Sequence, residues 1–204
     1  VAATCARILG SGCSTIAHSL GIGGQNRHIS TSGEEFDPFT TQSTPEDAER
    51  AERMVRAQIN RCLVSGRTEN VRSDFPKGVL NSYRRLSERA AEDARMSEKR
   101  PDATFARKAD AFLEFVEAAH ARDPSIGLNI RHYGMVVDSY AKIGDPASAE
   151  EVLMRLQPLW KAGNSKLTPE RIIYNAVIDA WAKSGQKVAG DRAEKLLVHM
   201  EALS

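Results

Sequence analysis

The chain has 204 residues, 41% hydrophobic and 27% charged, which bounds it at one or two globular domains or a short solenoid. Its 28 Lys and Arg almost cancel its 27 Asp and Glu, so a formal charge of +1 gives no strongly basic footprint for a phosphate backbone. No apolar run approaches the ~18–20 residues that a membrane span needs.

Residues 1–33 contain no Asp or Glu and carry Arg7 and Arg27 among many Ser, Thr, Ala and Gly. Acid-poor, Ser-rich and Arg-bearing is the composition of an organelle transit peptide. An inside-negative potential draws such a segment through a membrane, and an acid would oppose that pull. Arg27-His28-Ile29-Ser30-Thr31-Ser32 is similar to the region around a mitochondrial processing site. The expectation is a disordered targeting segment over 1–33, for the mitochondrion in preference to the plastid. Without it, 26 basic and 27 acidic residues leave a charge of −1. Residues 34–45 are polar, contain Pro38 and lack apolar periodicity, so they read as a linker. Beginning with Val1 and stopping straight after a helical pattern, the chain reads as part of a longer protein.

Residues 46–125 read as helical, with blurred repeats. Thr44-Pro45-Glu46-Asp47 supplies a cap, a first-turn proline and acids at the positive end of a helix. Ala51, Met54, Val55 and Ile59 form its expected apolar stripe, and Gly66 ends it. A second helix is expected from about Ser73-Asp74, with Val79, Leu80, Tyr83 and Leu86 inward and a charged, solvated stretch from Glu88 until Pro101 breaks it. A third carries Ala109, Phe112, Leu113 and Val116 at i, i+3, i+4, i+7.

Residues 126–204 contain two helix pairs of similar sequence, whose first helices are near-copies at an offset of 41 residues. The first helices are His132-Tyr133-Gly134-Met135-Val136-Val137-Asp138-Ser139-Tyr140-Ala141-Lys142 and Ile173-Tyr174-Asn175-Ala176-Val177-Ile178-Asp179-Ala180-Trp181-Ala182-Lys183. The second helices place Ala149, Val152, Leu153, Leu156 and Ala193, Leu196, Leu197, Met200 on one face. Gly144 stops one helix and Asp145-Pro146 starts the next, while Thr168-Pro169-Glu170 is expected to start the following pair in the same manner. Tandem helix pairs of similar sequence mean a helical repeat. The fold class is therefore all-α: an α-solenoid of antiparallel helix pairs, with alanine anchors at Ala51, Ala109, Ala149 and Ala193.

Pro169-Glu170, Tyr174-Asn175, Ile178-Asp179, Ala182-Lys183-Ser184-Gly185 and Ala193-Glu194-Lys195-Leu196-Leu197 with Met200 together closely resemble a pentatricopeptide repeat. The copy beginning at His132 resembles it less fully, having Gly134 where Asn is usual, and the repeat spacing is longer than the family's habit. A tetratricopeptide-like superhelix is the nearest alternative architecture. The resemblance implies a superhelix whose first helices line a groove for single-stranded RNA, about one base per repeat. It assigns base reading to Gly134 with Glu170 in one repeat and to Asn175 in the next. Lys142 and Lys183 are the candidate phosphate contacts. With no side chain, Gly134 makes its repeat a weak or silent reader.

The implied function is organellar RNA binding in transcript processing, stability or translation. The alternative is a helical scaffold that binds a protein partner in an organellar complex. No DNA partner and no cofactor are expected. His18, His28, His120, His132 and His199 are scattered without metal or triad spacing, and Cys5, Cys13 and Cys62 form no pair at metal or disulfide spacing. Gly21, Gly23 and Gly24 lie in the transit-like segment, so no phosphate-cradling loop and no enzyme is expected.

Overall fold

The computed structural model describes residues 28–29, 35–36, 44–66 and 74–201. The chain divides into two units, Val1–Asp37 and Pro38–Ser204. In the first, strand β1 (His28–Ile29) pairs antiparallel with β2 (Glu35–Phe36), His28 opposite Phe36 and Ile29 opposite Glu35. The rest of the expected targeting segment, and most of the expected linker, lie outside the described residues.

Among its described residues the second unit is all-helical. Its helices are α1 (Pro45–Ser65), α2 (Asp74–Met96), α3 (Thr104–Arg122), α4 (Ile130–Lys142), α5 (Pro146–Lys161), α6 (Arg171–Lys183) and α7 (Ala189–Glu201), with a 3-10 turn at Ser165–Leu167. Helix α1 begins as its sequence dictates. Thr44 Oγ1 accepts from Asp47 N at 3.2 Å, and Asp47 Oδ2 accepts from Thr44 N at 3.1 Å, closing a capping box ahead of Pro45. Gly66 ends the helix at φ 65°, a left-handed conformation that glycine adopts without steric cost. Asp145 caps α5 by accepting from Ser148 N at 3.2 Å, with Pro146 in the first turn.

The helices pack in a repeating order. Three hairpins form, α2 with α3, α4 with α5, and α6 with α7. Their first helices α2, α4 and α6 lie against one another in succession. Further contacts join α1 to α2, α3 to α4 and α5 to α6, so each second helix meets the next first helix, and α1 also touches α3. Helix α1 occupies the place of a second helix whose own first helix is not among the described elements. The apolar stripes read from sequence form the shared core. Val79, Leu80, Tyr83, Phe112, Leu113, Tyr133, Val136, Val137, Leu153 and Leu156 are all fully buried.

Three local expectations need correction. Met54 is exposed, because the described helices that pack on α1 lie on one side of it; Ala48, Ala51, Val55, Ile59 and Cys62 make its buried face instead. Helix α2 ends at Met96, ahead of Pro101, with Glu98 in the left-handed region at φ 52°. Of the α7 stripe only Leu196 is buried; Leu197 is 44% exposed, since no described helix covers that side of α7.

The paired positions Leu153 and Leu197 separate burial from propensity. Leu153→Ala is expected to cost about 2–5 kcal/mol, the range for a fully enclosed leucine, whereas Leu197→Ala costs under ~1 kcal/mol. Urea midpoints of the two variants check this, and equal losses would mean α7 is as enclosed as α5.

Candidate functional site

On α4, Gly134, Asp138 and Lys142 follow one another at intervals of four residues, and Asn175, Asp179 and Lys183 do the same on α6. Residues four apart share a helix face, so each trio forms a row. Neither row belongs to the buried stripe of its helix. The two helices pack on each other, which sets the rows on neighbouring first helices.

Asn175 is exposed, and among the described residues its amide has no hydrogen-bond partner. Gly134 is half-buried, yet a Cβ built there would meet no atom within 4 Å. Glu170 sits at the N-cap of α6 in extended conformation and its side chain makes no capping bond. Thr168, expected to help start this helix, instead donates its hydroxyl to the Ser165 carbonyl at 2.9 Å, closing the 3-10 turn. The helix therefore starts at Arg171.

The two lysines are not free cations. Lys142 Nζ bonds the Glu88 carboxylate on α2 and lies 3.7 Å from Asp138 on its own helix. Arg84 of α2 donates to Asp138 at 3.2 Å and sits 3.7 Å from Glu88. Two cations and two anions thus alternate across the α2–α4 contact. The hydrogen bond from Lys142 draws the Glu88 carboxyl below its ordinary pKa, against a smaller opposing effect of burial. Lys183 pairs with Asp179 at 2.5 Å, with both side chains mostly exposed, so that pair is weakly held. No hydrogen bond or ion pair joins any two of Gly134, Lys142, Glu170, Asn175 and Lys183 among the described residues.

Behind these rows, the junctions between second helices and the following first helices share one polar device. Glu52 on α1 accepts from the Tyr83 hydroxyl on α2, Asp110 on α3 accepts from Tyr140 on α4 at 3.2 Å, and Glu150 on α5 accepts from Trp181 Nε1 on α6 at 2.8 Å. Donor follows acceptor by 31, 30 and 31 residues, so the device recurs once per junction. A guanidinium completes each: Arg56 on Glu52 at 2.6 Å, Arg155 on Asp110, and Arg192 on Glu150 at 2.9 Å. Burial, then the neighbouring acid, raises the ionisation of Tyr83 and Tyr140 above the ordinary tyrosine value, which keeps both as O–H donors. Arg155 also reaches Glu114 at 3.1 Å and Glu117 at 3.2 Å, tying α5 to α3. Tyr133 departs from the pattern. Its buried hydroxyl has no partner at hydrogen-bond geometry among the described residues, although Glu117 lies near enough to act on its ionisation.

Sequence reasoning missed these acids. The signal was present: an acid stands immediately after each alanine anchor, as Ala51-Glu52, Ala109-Asp110, Ala149-Glu150 and Ala193-Glu194.

Burial raises the Cys62 thiol above its ordinary pKa, which disfavours the thiolate; Cys5 and Cys13 lie outside the described residues. Among the described residues no three His, Cys, Asp or Glu are grouped to hold a metal ion, and no helix is long and apolar enough to cross a membrane. Comparison with known proteins finds no matching family model, no matching curated protein and no matching solved structure.

Two measurements test this geometry. In a double-mutant cycle, Glu150→Ala and Trp181→Phe should show a coupling of about 0.5–3 kcal/mol by urea denaturation, whereas a value near zero would remove the junction's energetic role. Glu88, with its folded pKa depressed, adds stability that is present above its unfolded value of ~4.3 and is lost as pH falls through the folded value. The fall in Tm from pH ~7 to ~3 should accordingly be smaller in Glu88→Gln than in the parent.

Proposed function

We propose that the chain is a pentatricopeptide-like α-solenoid that binds single-stranded RNA along the face made by its first helices, in a mitochondrion or, as the alternative address, a plastid. The succession of α2, α4 and α6, each backed by a second helix, supports the solenoid reading. The single observation that carries the RNA reading is Asn175. It is an exposed amide without a partner among the described residues, on a first helix whose sequence resembles the family's base-reading pattern.

An amide is suited to such a task because it offers a donor and an acceptor together, which match the edge of an unpaired base. The neutral row on α4 assigns little of the affinity to phosphates, since Lys142 is shared between Glu88 and Asp138. Binding would then depend on base contacts and stacking more than on counterion release. Glu170 would act with Gly134 as the second reader of the first repeat, with little effect while position 134 lacks a side chain.

The paired charges also favour a second reading. A groove whose cations are already neutralised, beside exposed Ile172, suits a polypeptide as well as a polyanion, so a protein-binding scaffold is retained as the alternative.

Binding of pooled single-stranded RNA, titrated with salt against duplex RNA and DNA controls, decides between them. Asn175→Ala is expected to weaken single-strand binding about fivefold, the ~1 kcal/mol of one net hydrogen bond. Gly134→Asn, where the added side chain meets open space, should strengthen it. Absence of single-strand binding at low salt would end the RNA reading.

A further inference from the structure

The first helices start from a common edge of the helical unit. Arg84 of α2 meets Asp138 of α4, and Glu88 meets Lys142, so the partners advance together and the two helices run parallel. Helix α6 takes the same direction, because its Trp181 holds to α5 as Tyr140 of α4 holds to α3. The α3–α4 and α5–α6 turns therefore lie side by side, and His120 joins them. Its Nδ1 donates to the Ile126 carbonyl at 2.7 Å, and its Nε2 accepts from Asn164 Nδ2 at 3.1 Å.

This edge is basic, although the whole chain carries a formal charge of only +1. Residues 122–131 and 161–171 hold five cations, Arg122, Arg131, Lys161, Lys166 and Arg171, against two acids, Asp123 and Glu170. All five cations are exposed, and none has an ion pair among the described residues. Lys142 and Lys183, at the far ends of α4 and α6, are both paired. Two of the five also oppose the helix dipole. Arg131 and Arg171 stand in the first turns of α4 and α6, which contain no acid, whereas the first turn of α1 carries Glu46 and Asp47. A cation at the positive end of a helix is locally unfavourable, and an anion placed beside it is attracted by cation and dipole together. The edge is continuous with the candidate readers. Arg171 precedes Asn175 by four residues and Arg131 precedes Gly134 by three, so each shares a helix face with its reader.

We propose that this edge carries the phosphate backbone of the bound single strand. The backbone crosses the two turns over Arg122, Arg131, Lys161, Lys166 and Arg171, and its bases turn along the first helices toward Gly134 and Asn175. This rests on the RNA reading above and adds to the first-helix row the phosphate contacts that the paired Lys142 and Lys183 do not offer. A near-neutral total charge is no obstacle, because a polyanion responds to where the cations cluster.

Salt-titrated binding of pooled single-stranded RNA to the full chain tests the assignment. Arg131→Gln with Arg171→Gln removes two cations from the edge, and Lys99→Gln with Arg100→Gln removes the same charge from exposed residues of the α2–α3 turn. The edge pair should weaken binding at least ~10-fold at ~0.05 M salt and flatten the log–log salt slope by about 1.4, or about 0.7 for each cation, while the control pair leaves both unchanged. The Tm of the edge pair should equal or exceed the parent's, since the charges removed oppose the dipole. A fall in Tm of several degrees would assign the arginines to the fold and overturn the proposal. Binding by the edge pair equal to that of the control would overturn it too, with the RNA reading left to stand on the effect of Asn175→Ala. If the parent binds no single strand at low salt, the RNA reading fails and this one fails with it. Vesicles of anionic phospholipid give the last arm: vesicle binding lost in the edge pair while RNA binding is kept would make a lipid surface the occupant and overturn the assignment to RNA.

Discussion

An aromatic N–H or O–H held by a carboxylate, with a guanidinium alongside, is the constraint on which the helical unit depends. Apolar burial brings helices together but is indifferent to sliding, because one leucine stripe packs on another at several offsets. A buried donor is not indifferent. If α6 moved a turn along α5, Trp181 would lose Glu150 and leave an unsatisfied group, at a cost of about 1–3 kcal/mol. The same device at α1–α2 and α3–α4 fixes register at each step while the apolar residues supply most of the stability.

Where these contacts sit explains how the repeat tolerates variation. The alanine anchors are unevenly spaced, chiefly because α2 has 23 residues where α4 and α6 have 13 each, with a smaller part from the loops. Donor and acceptor stay 30 or 31 residues apart regardless, since the stretch between them holds one turn region and parts of two helices whose lengths are tied to the packing. Loop insertions elsewhere cost little entropy, whereas a shift inside this stretch would break a buried hydrogen bond. The guanidinium is less constrained: it comes from α1 itself at the first junction and from the next second helix at the others.

Much of the helical unit was legible in the sequence, for identifiable reasons. Each amphipathic stripe announces a helix by itself, and Thr44-Pro45, Gly66, Gly144 and Asp145-Pro146 carry their end signals locally. What failed depended on neighbours. Met54 lies on a stripe position yet points to solvent, and Leu197 fits its pattern yet lacks a cover, because periodicity reports a face without saying what packs on it. The start of α6 shifted since Thr168 found the Ser165 carbonyl before it could cap a helix. At the candidate site the sequence offered Lys142 as a candidate phosphate contact. Its partner Glu88 stands 54 residues upstream, and only the packing of α2 on α4 brings the two together.

That pairing bears on how any ligand would meet the first-helix face. Between α2 and α4 the charges satisfy one another, so an incoming phosphate would have to displace a carboxylate from Lys142 or Arg84 and bear the cost of leaving it unpaired. On α6 the Lys183–Asp179 pair is exposed and easily opened, and Asn175 beside it has no partner to give up among the described residues. Affinity on this face should therefore rise from α4 toward α6. The α2–α4 contact uses its charges to hold helices together, whereas on α6 the polar groups are exposed and loosely held.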